Sequence, residues 1–401
     1  MTNHSAFDSH ARPAPAVSWR GLSSTVWVLV VARAVNRLGA FTLPFLGVVL
    51  TVELGASVAE AGLVLTVFGL ATIPSRVFGG HLADRLGAKH TIVVGLVGCA
   101  IAQAWIALSS TLWSAVLAAI LLGLVFEIYE PPSQAIIADV TEALDRPAAY
   151  GLLGAAVAAG AVLAGLLAAA LGHFDLRWLF AADAITCLAC ATLIAFALPT
   201  TSSRPASSAA GGSWRDPRLL AMLATGTVFA TLYMQLVIGL PFTLLARDLP
   251  ASTVGLVLAV SALTLVLAQP LQRLRQVREL DDFAAMAIGY LLLSAGLLAN
   301  AFATTLPSFL AATVVWSLGD LLLFSRAYTI VAALAPDNAR GRYMATYGLS
   351  WGIATTLAPI AGTQLLTAAG PTTLWTLSAL TALVLALVQP AMRRHLSLPE
   401  V

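Results

Sequence analysis

Arg33, Arg37, Glu127, Glu130, Asp183, Asp320 and Arg326 interrupt long apolar stretches of this 401-residue chain. An ionised side chain at the centre of a hydrocarbon layer costs roughly 3 kcal/mol on insertion scales, so seven facing lipid would cost about 20 kcal/mol. They are therefore expected to face a wet cavity or one another. Glu127 and Glu130 stand at i and i+3 with Gln134 one turn beyond, a single polar stripe that runs into the helix-weakening pair Pro131-Pro132. Arg33 and Arg37 share one face of the first apolar stretch, with Asn36 beside them. This is the chemistry of a proton carrier. Poor solvation favours a neutral acid, a guanidinium favours the carboxylate, and a balance between them lets a proton come and go near physiological pH. The expected cycle has Glu127 or Glu130 alternate between a protonated state and an ion pair with Arg37 or Arg33. The alternative is a permanent ion pair that only ties the two helices together.

Asp320 shares a helical stripe with Trp316, Phe324 and Tyr328, an acidic and aromatic wall suited to a lipophilic cation. Arg326 aligns with Glu130 in the internal repeat described below, and the two are expected to face each other as a gate. Asp183, near a membrane face and beside Arg177, reads as an interfacial structural residue. The histidines lie in tails or at span ends and are poor proton carriers. Cys99, Cys187 and Cys190 sit in apolar runs, where they read as small packing residues with no disulfide framework and no metal site. There is no G-x-x-x-x-G-K-[ST] loop, so ATP is not the expected energy source, and no cofactor is implied. A net charge of +2 without a basic cluster argues against nucleic acid as a partner.

These residues need a membrane to position them. Hydrophobic residues make up 59% of the chain and charged ones 10%, against roughly 25% charged in a soluble domain, which leaves too little polar surface for a water-soluble globule. Apolar segments fall near 24–50, 57–80, 91–109, 112–138, 150–171 and 176–198, and again near 219–246, 253–272, 283–303, 308–334, 344–366 and 372–392. The expected organisation is a tail over 1–22, a bundle over 23–199, a linker over 200–218 rich in Ser, Ala, Gly and Pro, a second bundle over 219–393, and a tail over 394–401. Cations crowd onto one set of alternate loops and span ends, Arg76, Arg85, Lys89, Arg146, Arg215, Arg340 and Arg393 among them. The opposite loops hold only Arg177 and Arg247. Both termini are therefore expected in the cytoplasm. One lysine beside twenty arginines fits the codon bias of a GC-rich bacterial genome.

The halves repeat. Ala61-GLVLTVFGL returns from Val254 as VGLVLAVSAL, Leu43-Pro44-Phe45 as Leu240-Pro241-Phe242, and Tyr150-Gly151-Leu152 as Tyr347-Gly348-Leu349, at an offset between 193 and 197. Parallel repeats of six spans are the construction of alternating-access carriers.

Between the second and third segments runs Gly80-His81-Leu82-Ala83-Asp84-Arg85-Leu86-Gly87-Ala88-Lys89. It resembles the G-x-L-A-D-R-x-G-R-[KR] signature of the major facilitator superfamily. The resemblance, with twelve spans and the repeat, covers nearly the whole chain. It implies that Gly80, Asp84, Arg85, Gly87 and Lys89 form a cytoplasmic latch, with Asp139 where the family carries an acid at the end of the fourth span. Ala88 replaces the usual arginine. In the fifth span, Gly160 to Gly165 is similar to the G-P-x-x-G-G element of the family's antiporters, with alanine in place of proline, and Ile120 stands where many drug antiporters carry arginine. The resemblance also implies that the first, fourth, seventh and tenth spans line a central cavity.

The expected fold is an all-α integral membrane protein with twelve transmembrane helices in two pseudo-symmetric six-helix bundles around that cavity. The expected function is secondary active transport in the plasma (inner) membrane rather than enzymatic catalysis: proton-coupled efflux of a lipophilic or cationic small molecule or drug. Its partners would be that molecule, protons and the lipid bilayer, with a monomer holding the whole path. Two alternatives stand beside it, a proton-coupled importer of a small polar nutrient and a non-transporting membrane sensor on a carrier fold. Few hydrogen-bonding residues (Asn36, Gln134, Gln235, Gln269) occupy the spans, which favours an apolar or cationic cargo.

Overall fold

The computed structural model describes residues 22–141, 146–199, 213–336 and 339–396, so most of the expected linker and tails lies outside the described residues. Among the described residues there is no strand. The first crossing is split into α1 (Ser24–Leu38) and α2 (Thr42–Val52). The next two, α3 (Val58–Leu86) and α4 (Ala88–Leu108), are continuous, and the fourth is split again into α5 (Leu112–Phe126) and α6 (Glu130–Val140). Helices α7 (Arg146–Leu171) and α8 (Arg177–Ala197) complete the first half. In the second half α9 (Pro217–Met234) passes through a wide π-helical turn, Gln235–Gly239, into α10 (Leu240–Ala246). Then come α11 (Thr253–Ala268), the short α12 (Arg275–Arg278), α13 (Asp282–Phe302), α14 (Leu306–Leu334) and α15 (Arg340–Leu396).

Straight, α15 would run roughly 85 Å, far beyond ~30 Å of hydrocarbon. Gly370 divides it: φ 79° and ψ 174° are not helical, and glycine takes the positive φ without a Cβ clash. Ten helical runs are long and apolar enough to span a membrane. With α15 counted as two crossings and the broken α5–α6 as one more, the number is twelve, and the chain is a multi-pass membrane protein.

The interruptions follow from proline. A proline inside a helix removes the N–H that would bond four residues back. Pro44 leaves the Ala40 carbonyl without that partner, and the chain kinks over Gly39–Phe41, where the Phe41 amide donates to the Gly39 carbonyl at 2.7 Å. Pro241, its counterpart in the repeat, does the same to Val237, and there the helix widens into the π turn. Pro131 and Pro132 remove two successive donors after Glu127, and the fourth crossing breaks at residues 127–129. The tenth crossing has Ala327 and Tyr328 at the equivalent places, and α14 runs unbroken. The helix-weakening effect expected of Pro131-Pro132 thus appears as a break in the fourth crossing.

The halves meet along small residues. A Cβ on Gly69 would fall 2.6 Å from the Thr355 carbonyl oxygen, and one on Gly165 would fall 2.5 Å from the Ala259 nitrogen. Gly62 seats against Thr363, and Gly255 against Ala169. So α3 packs on the first part of α15 and α7 on α11, two contacts that the internal repeat interchanges. Further along the same faces the contact ceases: nothing lies within 4 Å of a Cβ built on Gly151, Gly154, Gly348 or Gly352. Gly154 is three turns from Gly165 and Gly352 three turns from Thr363. The central cavity is therefore closed at the end where α3 begins and open at the end that carries the Gly87 turn.

Leucine at position 165 would hold α7 and α11 apart and disfavour this closure. A water-soluble maleimide should label a cysteine placed at Gly352 several-fold more slowly once Gly165→Leu is added; undiminished labelling would contradict the assignment of Gly165 to the closed end.

Candidate functional site

Two ion pairs gather at the fourth crossing. Arg33 Nη2 lies 2.6 Å from Glu130 Oε2, and Arg76 Nε lies 3.2 Å from Glu127 Oε2. Both glutamates stand at the α5–α6 break. There the Glu127 amide, at the end of α5, donates to Ser75 Oγ of α3 at 3.0 Å as well as back to the Val125 carbonyl, which ties the break to the helix that also supplies Arg76. This corrects two expectations. Arg37 pairs with neither glutamate, because the break turns Glu127 toward α3, and Arg76, placed by sequence at a membrane face, is its partner. Arg33 also lies over the Tyr129 ring, 5.5 Å from its centroid, and the Tyr129 hydroxyl donates to Asn36 Oδ1 at 3.1 Å. Arg37 is exposed, makes no ion pair among the described residues, and passes beside Gly160, where a Cβ would fall 3.0 Å from Arg37 Cβ. Gly160 thus admits an arginine at the cavity edge, while Gly165 seats α7 on the other half.

Aromatic rings form a wall of the second half. Phe324 of α14 stacks on Trp351 of α15 with centroids 5.4 Å apart at 9°, and Tyr233 of α9 meets both rings edge-on at 5.4 Å. Phe229 backs the stack, and Tyr328 meets Tyr347 at 5.3 Å. The charges of Arg37 and Arg76 reach Tyr233 and Tyr328, so these two arginines look toward the rings, whereas Arg33 and Glu130 line a cleft within the first half with Ile92 and Leu96 of α4 and Cys190 and Ile194 of α8.

Only part of the expected Trp316–Asp320–Phe324–Tyr328 stripe belongs to this wall. Asp320 is fully buried with neither carboxyl oxygen partnered, an arrangement costly for a carboxylate. Trp316 is buried against Gly296 of α13, close enough that a Cβ there would fall 2.6 Å from Trp316 Cβ. A stripe of four turns cannot all face one cavity when α14 packs against neighbours on both flanks. Arg326 does not meet Glu130; Nη1 binds Asp282 Oδ1 at 2.6 Å and Nη2 donates to the Val277 carbonyl at 2.7 Å, so it secures the start of α13 within its own half.

Asp183 is not an interfacial partner of Arg177. It is 5% exposed, and its Oδ2 accepts from Gln103 Nε2 at 2.6 Å and from Thr42 Oγ1 at 3.4 Å. The cysteines do more than pack: the Cys187 thiol donates to Asp183 Oδ1 at 3.6 Å and Cys190 to the Ala32 carbonyl at 3.0 Å. At the latch turn, Gly80 lies in α3, Gly87 takes φ 80° to join α3 to α4, Asp84 and Arg85 are exposed, and Lys89 is half-buried. The Asp139 and Gln134 side chains lie outside the described residues.

The aromatic pairs Phe229/Tyr233 and Tyr347/Trp351 were legible as i, i+4 spacings on two helices, the pattern already noted for Phe324 and Tyr328. Arg76 follows Pro74-Ser75 within an apolar run, and its place near a span end concealed it. Gln103 carried no local signal.

A family model described as Major Facilitator Superfamily matches residues 29–275 and 281–395. The chain is 28% identical over 336 residues to a multidrug resistance protein MdtH of Klebsiella pneumoniae (strain 342), covering 81% of this chain and 83% of that one. It is 24% identical to the uncharacterized MFS-type transporter YqjV of Bacillus subtilis (strain 168), covering 83% and 84%. Among solved structures, a peptide transporter POT superposes with a TM-score of 0.80 at 15% identity over 96% of this chain and 97% of the other. The nucleoside transporter NupG superposes at 0.78 and 14% over 92% and 100%. At such identity these two share the fold alone.

The two ion pairs differ in length and in the exposure of the arginine: Arg33 and Glu130 are 2.6 Å apart and 30% and 29% exposed, while Arg76, 49% exposed, lies 3.2 Å from Glu127, 18% exposed. Double-mutant cycles of alanine variants, read by thermal unfolding, should give a coupling of about 1–2 kcal/mol for Arg33–Glu130 and under about 1 kcal/mol for Arg76–Glu127. The reverse ranking would mean that solvent access does not govern these pairs.

Proposed function

The chain belongs to the major facilitator superfamily and is a transporter rather than an enzyme, and on that premise we propose that it exports a lipophilic or cationic small molecule in exchange for protons, by alternating access. The observation that carries this reading is the Arg76–Glu127 pair at a helix break, set toward stacked aromatics in a cavity open at one end. That end bears the excess of arginine, which by the positive-inside rule makes it cytoplasmic. Cargo then enters from the cytoplasm or the inner leaflet and lies against Phe324, Trp351 and Tyr233. The ring faces supply dispersion and, for a cation, quadrupole attraction; Asp320 lends its charge or its polarity from behind them rather than by contact.

Glu127 and Glu130 are the proton-coupling groups. Each exchanges a guanidinium partner, Arg76 or Arg33, for a proton, and loss of the ion pair frees α3 and α1 to move against the α5–α6 break. Asp84, Arg85 and Lys89, with Asp139, would latch the cytoplasmic end in the opposite state. The MdtH relatives, named multidrug resistance proteins, support efflux of drug-like cargo.

In proteoliposomes with an imposed pH gradient, the lipophilic cation ethidium should move against the proton flux. Glu127→Gln or Glu130→Gln should abolish gradient-driven movement, and Trp351→Ala should weaken ethidium affinity about tenfold or more, as expected for loss of a half-buried aromatic contact. Full gradient-driven activity in both glutamine variants would remove the glutamates from the mechanism. Ethidium movement along the proton flux, or accumulation of a polar nutrient along it, would reverse the direction.

A further inference from the structure

The first half holds a carboxylate that this mechanism leaves unused. Asp183 of α8 sits at the kink between α1 and α2. Gly39 makes room for it, since a Cβ there would fall 2.7 Å from Asp183 Oδ1. Thr42 opens α2, so the carboxylate lies at the amino end of a half-helix. Gln103 of α4 is 1% exposed; its Nε2 donates to both Asp183 Oδ2 and Thr42 Oγ1, while its Oε1 is buried and without a partner. A buried acceptor left unpaired is costly and calls for a donor.

From Asp183 a run of contacts leads to the ion pair. Cys187 donates to Asp183 Oδ1, Asn36 Nδ2 lies 3.5 Å from Cys187 Sγ, and Tyr129 donates to Asn36 Oδ1; Arg33, over the Tyr129 ring, binds Glu130. No cation pairs with Asp183 among the described residues. The titratable groups facing it are Cys187 and Cys190 on its own helix and Cys99 on α4; α1 brings Arg33 and Arg37, both directed elsewhere, and Glu127 shares the field of Cys99. Helix α2 carries no titratable side chain, and α7 carries none from Gly151 to Leu171.

We propose that Asp183 is a second proton-binding site, joined to Glu130 through Cys187, Asn36, Tyr129 and Arg33. One proton from hydronium adds to Oδ2, forming an O–H bond, and the carboxylate becomes a neutral acid while hydronium becomes water. The Gln103 amide then turns over, so that Oε1, now unpaired, accepts from the new hydroxyl and from Thr42 Oγ1. The hydroxyls of Asp183 and Thr42 then share the Oε1 acceptor that has no partner in the charged state, while Nε2 gives up its two acceptors, so the triad can answer either charge of the carboxyl group by a turn of one amide. Loss of charge also ends its attraction to the amino end of α2, so the proton is felt at the kink beside Arg33 and Arg37.

The proposal rests on the proton-coupled reading for its purpose, but the titration itself does not. Infrared difference spectra of the full-length protein in lipid nanodiscs, recorded across pH, read protonated carboxyl groups by their C=O stretch. Asp183→Asn should lose one component of that band which Glu130→Gln retains. Thr42→Val removes a donor to the carboxylate and should raise the midpoint of that component by about one pH unit. A band unchanged in Asp183→Asn overturns the proposal; should that variant fail to fold, an unmoved midpoint in Thr42→Val overturns it equally. Loss of the component in Asp183→Asn, together with full pH-driven transport by Glu130→Gln and Glu127→Gln, would keep the site and discard the coupling assigned to the glutamates.

Discussion

Hydrocarbon offers a backbone amide or a carboxylate no partner, so each polar group that this chain carries into the membrane must be met by another part of the chain or by cavity water. That constraint explains why irregular backbone and charge occur together. At the α5–α6 break the Glu127 amide turns to Ser75, while the Glu127 and Glu130 carboxylates turn to Arg76 and Arg33. At the α1–α2 kink the opened end is held by Thr42, Gln103 and Asp183. The uninterrupted α14 needs no such help, and its Asp320 is shut away behind rings.

The same constraint divides labour between the halves. The first half carries the breaks in its first and fourth crossings and, at the second of these, the Arg33–Glu130 and Arg76–Glu127 contacts, while the Arg326–Asp282 pair of the second half secures the start of a helix. The second half has only a widened turn at Gln235–Gly239 and presents rings, whose attraction is non-directional and tolerates varied cargo. Glycine lines the contact between them, at Gly62, Gly69, Gly165 and Gly255, so that backbones touch at one end while the other stands open. Two rigid bundles hinged on small residues can rock without repacking their cores.

Much of this was legible in the chain. A low charged fraction and segments of membrane length require a multi-pass helical protein, and the L-P-F repeat marks both the α1–α2 kink and the π turn at places related by the repeat. Helical spacing put Glu127 and Glu130 on one stripe and Arg33 and Arg37 on another, because i, i+3 and i, i+4 relations are local, but the break at 127–129 sends the two glutamates to different helices. What spacing cannot supply is the rotation of one helix against another. Glu127 pairs with Arg76 and not Arg37, Arg326 with Asp282 and not Glu130, and Asp183 lies among Thr42, Gln103 and Cys187, since those partners lie on other helices and packing alone decides which faces meet. The sequence by itself determined the membrane, the repeat and the few ionisable residues within the spans; only the tertiary structure decided their partners and which end of the cavity stands open, because both depend on how helices far apart in the chain turn toward one another.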